Sequence, residues 1–215
     1  MSHHMSNMLT PSLQVAMNEL SNHDHSRFLT RTNHIVGRVD TLGPKAAEEY
    51  VNKAVMREAV IMQMTWVGAP TIYYGDEAGV CGFTDPDNRR TYPWGKEDKE
   101  LIAFHKEMVR IHKEYRSLQT GSLRILSWDE NILSYGRFRK GEQIIVIINN
   151  RDELTEVTVP AWPAEVPMKG RMERLMYSYQ EGYTTAYEEY LIHDGEVVVN
   201  MGAHSALVLI AVRED

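Results

Sequence analysis

Residues 66–79 of the chain read WVGAPTIYYGDEAG. The run Thr71 to Tyr74 is β-branched and aromatic, which predicts a short strand, and the glycine after it ends that strand. Asp76 and Glu77 therefore follow the strand directly. A Gly-Asp-Glu sequence is also typical of a plain turn, so this segment alone assigns no function.

A second strand with a polar end is predicted upstream. Leu13, Val15 and Met17 alternate with polar neighbours, and the segment 22–27, Asn-His-Asp-His-Ser-Arg, follows. If the two strands are neighbours, about 4.8 Å apart, the carboxylates that follow each of them share one pocket. Paired carboxylates suit glycosidic cleavage, because one protonates the leaving oxygen while the other supports or attacks the oxocarbenium-like centre.

The segment 22–27 also allows two other interpretations. Asp24 and Arg27 could form an ion pair within a capping and turn cluster. His23 and His25 could bind a metal ion, although no third ligand stands at a suitable spacing nearby.

Two helices complete an alternating pattern of strands and helices. Pro44 suits a first helical position, and apolar residues recur from there to Trp66 with a spacing of three and four, which predicts one long amphipathic helix. A second helix is predicted from Glu97 to Ser117. The alternation favours parallel pairing, but two such units cannot close a barrel, which takes about 250 residues. Residues 1–118 are therefore expected to form part of a larger barrel or doubly wound parallel sheet, with open edges.

Short strands with turn signals between them fill residues 119–215. They are predicted at 123–128, 132–139, 143–149, 156–159, 172–177, 187–192, 196–200 and 205–212. Asp194-Gly195 is typical of a type I′ hairpin turn. The apolar run Ile144 to Ile148 indicates a central strand that is covered on both faces. The pattern predicts an antiparallel β-sandwich domain.

Composition narrows the classes of function. The chain has 215 residues, a net charge of -7 and one cysteine, Cys81. A net negative charge offers no basic surface for nucleic acid or anionic lipid, and a single cysteine excludes a disulfide framework. No apolar run approaches the roughly 18 residues of a membrane-spanning helix. Small neutral substrates and protein partners remain as possible binding partners of the chain.

The segment 85–94 reads DPDNRRTYPW. Its mixed charges in a proline-containing loop suit hydroxyl-rich ligands, because charged hydrogen bonds to sugars are directional. They are equally typical of a solvated, salt-bridged loop. Trp94 offers a face for stacking on a sugar ring, or a packing contact beside proline.

Together the segments 20–27, 66–79 and 85–94 resemble the C-terminal part of glycoside hydrolase family 13, the α-amylase family, and above all its neopullulanase, cyclomaltodextrinase and maltogenic amylase branch. The resemblance implies that residues 1–118 are units seven and eight of a (β/α)8 barrel and that residues 119–215 are the antiparallel β-sandwich domain after it.

The resemblance also implies roles for individual residues. Asp24 corresponds to the third carboxylate of the family, which stabilises the transition state, and Asn22 and His23 accompany it at the same sugar. Arg89 corresponds to the arginine that closes the blind end of the pocket with an acidic partner. Asp87, in the same segment as Arg89, is also expected to bind substrate.

In the family, the nucleophile and the acid/base follow the fourth and fifth strands, and this sequence resembles the barrel only from the seventh strand onward. We therefore expect the chain to be a fragment of a retaining enzyme that hydrolyses or transfers α-1,4-glucosidic bonds in maltodextrin, cyclodextrin or pullulan. The fragment is expected to be inactive on its own and to bind no metal or cofactor. A homodimer of the full-length enzyme and a cytoplasmic location are further expectations.

The alternative is a non-catalytic module that binds carbohydrate or protein through Trp128, Trp162 and Tyr183.

Overall fold

The structure, a computed structural model, describes Met5 and residues 7–212. Its first part contains α1 (Thr10–Gln14), β1 (Met17–Glu19), α2 (Phe28–Arg31), α3 (Val39–Leu42), α4 (Lys53–Thr65), β2 (Ala69–Thr71), α5 (Lys99–Glu114) and α6 (Arg116–Thr120). Its second part contains β3 (Ser122–Asp129), β4 (Ile132–Arg139), β5 (Glu142–Asn149), β6 (Thr155–Pro160), β7 (Lys169–Tyr179), β8 (Gly182–Thr184), β9 (Glu189–His193), β10 (Glu196–Met201) and β11 (Ser205–Ala211). Each described helix is too short or too polar to cross a membrane.

β1 and β2 pair in parallel, as the alternation of strands and helices predicts. Met17 lies opposite Ala69 and Glu19 lies opposite Thr71. The predicted strand at 71–74 is displaced, because the ladder ends at Thr71 and the three residues that follow leave the sheet. The loops after the two strands therefore start side by side.

The predicted strand through Leu13 is wrong in its first half. Residues 10–14 form α1 instead, with Pro11 in the first turn, where its missing N–H is not needed. Only Met17–Glu19 is extended and paired. A short alternation of apolar and polar residues does not by itself distinguish a strand from a single helical turn.

The helix predicted from Pro44 to Trp66 is interrupted. Pro44–Ala47 is a short 3₁₀ turn, and α4 begins only at Lys53. Between them, Tyr50 has a φ of 58°, which no α-helix accommodates. Asn52 then caps α4, because its side-chain oxygen accepts hydrogen bonds from the first backbone N–H groups of the helix.

The second predicted helix is confirmed as α5, with its end at Glu114 followed by α6. Its predicted apolar face is buried through Leu101, Phe104, Met108 and Ile111. This face packs against α4, so the two longest helices share one core.

The described strands β3–β11 form one antiparallel sheet. Its hydrogen-bonded order is β3-β4-β5-β11-β7-β9-β10-β6, and β8 pairs with β7. The sheet curls until its end strands β3 and β6 contact each other. Ile144 to Ile147 are fully buried and lie centrally between β4 and β11, which confirms the prediction of a strand covered on both faces.

The two faces of the central strands serve different cores. Val146 and Val208 join the core that contains α4 and α5. Ile145 and Leu207 join Val197 in the core enclosed by the curled sheet. The sheet is therefore attached to the helices by its outer face.

Polar contacts also join the two parts. Arg137 of β4 is fully buried and donates hydrogen bonds to the carbonyl oxygens of Thr65, at 2.6 Å, and Gly121, at 3.2 Å. The hydroxyl oxygens of Tyr135 and Thr65 are 2.6 Å apart, and the Tyr135 ring meets Trp66 edge to face. The end of α4 is thereby fixed to the sheet.

Candidate active site

The loop after β1 is shaped by Asn22. Its side-chain oxygen accepts hydrogen bonds from the backbone N–H groups of Asp24, at 2.9 Å, and His25, at 3.2 Å. Its amide nitrogen donates to the Glu19 carboxylate at 2.7 Å. This turn directs the side chains of His23 and Asp24 outward. It also occupies the hydrogen-bonding groups of the Asn22 side chain.

His23 and Asp24 are exposed side chains of this loop, as is His25. Their side chains are 63% and 69% exposed, and His23 Nε2 lies 3.5 Å from Asp24 Oδ1. Both line a shallow cleft of about 350 Å³ whose opposite wall includes Tyr73. An exposed carboxylate beside an imidazole offers acceptors and a donor to the hydroxyl groups of a ligand.

Arg27 does not pair with Asp24. Its guanidinium is fully buried and donates to Asp76 Oδ1 at 2.9 Å and to the Tyr74 carbonyl oxygen at 2.6 Å, while the Tyr73 ring lies 4.0 Å away. Burial raises the pKa of Asp76, and Arg27 opposes that shift. The expectation that Asp76 shares an open pocket with Asp24 is wrong, because Asp76 is enclosed with Arg27.

Asn88 connects this interior pair to the loop. Its side-chain amide donates to the carbonyl oxygens of His25, at 2.8 Å, and Asn22, at 3.2 Å. Arg27 Nε donates in turn to the Asn88 carbonyl oxygen at 2.8 Å. Sequence reasoning missed this role of Asn88, since the contacts join residues more than sixty positions apart and no local pattern signals them.

Arg89 is half exposed and lies at the same loop. Its partner is Asp85, and its Nη2 group is 3.4 Å from the His23 carbonyl oxygen. Asp87 is enclosed, and its carboxylate accepts hydrogen bonds from the Phe83 N–H at 2.7 Å and from Arg90. The acidic partner of Arg89 is therefore Asp85, while Asp87 holds its own loop together.

The metal interpretation of His23 and His25 gains no third ligand. Across Met5 and residues 7–212, no group of three His, Cys, Asp or Glu side chains is arranged to hold a metal ion.

Exposed aromatic rings lie outside the cleft. Trp94 is 82% exposed beside the Tyr92 ring, with centroids 4.5 Å apart, and Trp128 on β3 and Trp162 in a 3₁₀ turn after β6 are also exposed. The expectation that Tyr183 is an exposed ring is wrong, because it packs edge to face on Phe104.

Known sequences resemble this chain over most of its length. It matches the family of the α-amylase catalytic domain over residues 1–155. It is 32% identical to an amylopullulanase of Thermoanaerobacter thermohydrosulfuricus over 94% of the chain, and 34% identical to neopullulanase 2 of Thermoactinomyces vulgaris over 76% of the chain. These alignments cover 14% and 25% of the two relatives. The chain thus spans a quarter or less of their length.

Solved structures share the fold. An Anoxybacillus α-amylase superposes on the whole chain with a TM-score of 0.77 at 21% identity, over 41% of its own length. A cyclomaltodextrinase superposes on 98% of the chain with a TM-score of 0.73 at 22% identity, over 32% of its own length. The match over residues 1–155 and the relatives above 30% identity confirm the resemblance: the chain belongs to the α-amylase family, through its catalytic domain.

Proposed function

We propose that this chain is part of a retaining glycosidase that hydrolyses or transfers α-1,4-glucosidic bonds in maltodextrin, cyclodextrin or pullulan. The relatives named amylopullulanase, cyclomaltodextrinase and neopullulanase support this class of substrate. The observation that carries the proposal is the pair His23 and Asp24, exposed in a cleft on a loop that the interior holds in place.

Asp24 acts in this proposal by binding the transition state. Its carboxylate accepts hydrogen bonds from sugar hydroxyls, and these bonds strengthen as the ring distorts toward the oxocarbenium-like state. Because the loop is preorganised by Asn22 and Asn88, the carboxylate needs little rearrangement when that state forms. Asp24 transfers no proton.

The neighbouring residues either bind substrate or position the residues that bind it. His23 donates a hydrogen bond to the same sugar as Asp24, and Asn22 contributes by fixing the turn that presents both of them. Arg89, oriented by Asp85, closes one end of the pocket. Asp87 acts through the loop that it holds, because its carboxylate is already bonded to Arg90 and to the Phe83 N–H.

In the same proposal, residues 1–118 supply the last two units of a (β/α)8 barrel, and residues 119–215, which contain the curled sheet, are the C-terminal β-sandwich domain. β1 and β2 pair only with each other among the described strands, which leaves both outer edges for barrel neighbours. The nucleophile and the acid/base then lie on strands four and five of the whole enzyme, outside these 215 residues. Dimerisation of that enzyme is proposed as well.

The test is Asp24→Asn in the full-length enzyme, with pullulan and a cyclodextrin as substrates. The loss of one preorganised charged group should lower kcat about 10²- to 10³-fold while the melting temperature stays unchanged. Asp40→Asn, an exposed aspartate on α3, is the matched control. Unchanged turnover in Asp24→Asn contradicts the proposal, and starch hydrolysis by the 215-residue chain alone contradicts the placement of the nucleophile elsewhere.

A binding module without catalysis is the second candidate, since the Trp128 ring on β3 and the Trp162 ring in the 3₁₀ turn after β6 are exposed. It predicts that Trp128→Ala weakens binding to a glucan, whereas Asp24→Ala changes neither binding nor any activity. Measurement of both variants on pullulan distinguishes the two candidates.

A further inference from the structure

A second cleft lies where the helical part meets the sheet. It encloses about 700 Å³, with Arg31, His34 and Tyr50 on the helical side and Asn131, Asp152 and His204 on the sheet side. It shares no lining residue with the cleft that contains Asp24. We refer to it as the junction cleft.

Residues with left-handed backbone angles are concentrated at this cleft. His34 and Tyr50 both have a φ of 58°, Asn131 has 83° and His204 has 44°. A side chain with a Cβ rarely adopts such angles, and for a bulky residue such as tyrosine they are exceptional. Residues held in this region persist where the surrounding structure enforces them, and they cluster at ligand sites.

Hydrogen bonds on both sides hold Tyr50 in this conformation. The Asn33 side chain donates to the Glu49 carbonyl oxygen at 3.0 Å, just before Tyr50. The Asn52 N–H donates to the Thr32 hydroxyl oxygen at 2.7 Å, just after it. The tyrosine is thus fixed at the rim although its own side chain is 85% exposed.

The sheet side of the cleft is fixed in the same way. The Asn150 N–H donates to the Asn131 carbonyl oxygen at 2.8 Å, and the His204 N–H donates to the Arg151 carbonyl oxygen at 3.0 Å. His204 Nε2 lies 2.7 Å from Asp152 Oδ1. Three turns are therefore tied together, and the cleft is preformed.

The lining chemistry suits a neutral ligand that carries many hydroxyl groups. The Asp152 carboxylate is 97% exposed and offers acceptors, the Arg31 guanidinium offers donors, and the Asn131 amide offers both. The Tyr50 ring provides a flat apolar face against which the C–H face of a sugar can pack. The volume lies within the range of small-molecule sites, about 300 to 1,000 Å³.

We propose that the junction cleft is a non-catalytic binding site for an α-glucan oligosaccharide. Only the class of sugar rests on the proposed function; the site itself rests on the geometry of this cleft. It holds a glucan segment at the boundary between helices and sheet, independently of Asp24.

Calorimetric titration of the 215-residue chain with maltoheptaose tests this proposal. Tyr50→Gly removes the ring and relieves the strain at φ 58°, so it should weaken binding about tenfold or more without lowering the melting temperature. Tyr187→Ala removes an exposed tyrosine elsewhere and should bind like the unmodified chain.

Three results would overturn the proposal: no binding by the unmodified chain, unchanged affinity in Tyr50→Gly, or an equal loss of affinity in Tyr187→Ala. Equal affinity for cellohexaose would overturn the assignment to an α-glucan. Failure of the proposed catalytic function is seen separately, as retained turnover of the full-length Asp24→Asn enzyme.

Discussion

Arg27 Nε donates a hydrogen bond to the backbone carbonyl oxygen of Asn88 at 2.8 Å, and neither residue is exposed to solvent. The guanidinium is held from the other side by Asp76. The Asn88 amide extends the connection to the carbonyl oxygens of Asn22 and His25. These two carbonyl groups flank His23 and Asp24, so the position of the proposed transition-state carboxylate depends on this buried relay of hydrogen bonds through Arg27 and Asn88.

Asn88→Ala should break this relay. It removes the donors to two partly buried carbonyl groups and should destabilise the fold by about 2 kcal/mol, at about 1 kcal/mol for each lost hydrogen bond. In the full-length enzyme a displaced loop should lower kcat about 10²-fold with a smaller change in KM, since misplacement of about 1 Å is costly in the transition state. Steady-state kinetics and urea unfolding measure the two effects. Asn200→Ala, on the exposed side of β10, is the control; equal kinetics in the two variants would refute the relay.

Individual strands and turns of the sheet could be predicted closely from the sequence, because their signals are local. The strand at 132–139 is found at the predicted bounds, and the turn at Asp194 and Gly195 has the two positive φ angles, 50° and 76°, that a type I′ hairpin requires. The break in the helix before Lys53 could not be predicted, because it depends on the contacts that hold Tyr50 in a left-handed conformation.

The candidate site could be predicted only in part. The outward position of Asp24 follows from the polar loop after a strand, and Asn22 is a typical turn residue. The partner of Arg27 could not be found in the same way, since sequence proximity favours Asp24, whereas the fold brings Asp76 to it from 49 positions away. Long-range pairing leaves no periodic pattern in the sequence.

Arg89→Ala should separate substrate binding from stability. The Arg89 and Asp85 side chains are both about half exposed, and such surface pairs contribute 0 to about 1 kcal/mol to folding. In the full-length enzyme the variant should raise KM about tenfold and leave the melting temperature unchanged. Arg110→Ala removes an exposed arginine with two acidic partners on α5 and is the control. An unchanged KM in Arg89→Ala would remove this residue from the pocket.

Glu58 on α4 should make stability fall with rising pH. Its side chain is buried, and burial raises its pKa to about 9. The folded chain keeps a proton that the unfolded chain releases above its ordinary pKa, about 4.3. Folding stability is therefore lost between about pH 4.5 and 9, at up to about 1.4 kcal/mol per pH unit.

Glu58→Gln keeps the shape of the side chain and removes this titration. Burial lowers the pKa of His105 and His112, so both are neutral in the folded and unfolded chain above about pH 7. Urea unfolding between about pH 7 and 8.5 should thus show a decline for the unmodified chain and a flatter profile for the variant. Glu181→Gln, at an exposed turn, is the control. Parallel profiles for Glu58→Gln and the unmodified chain would exclude a buried neutral Glu58.

Residues 1–118 expressed alone should associate rather than fold. Without the sheet, the Thr65 carbonyl loses the Arg137 guanidinium, and Trp66, only 5% exposed in the whole chain, loses its contact with Tyr135. Exposed apolar surface and the free edges of β1 and β2 favour association. Light scattering should show oligomers, and the melt should lack a sharp transition.

The matched control for this truncation is Tyr135→Phe in the whole chain. It removes only the hydrogen bond to the Thr65 hydroxyl and should cost about 1 to 2 kcal/mol while the protein remains a cooperative folding unit. Comparison of the two proteins distinguishes the loss of one contact between the helices and the sheet from the loss of the whole sheet. A monomeric 1–118 chain with a sharp melt would mean that the helical core formed by α4 and α5 is sufficient by itself, and that the buried face of Trp66 needs no cover from the sheet.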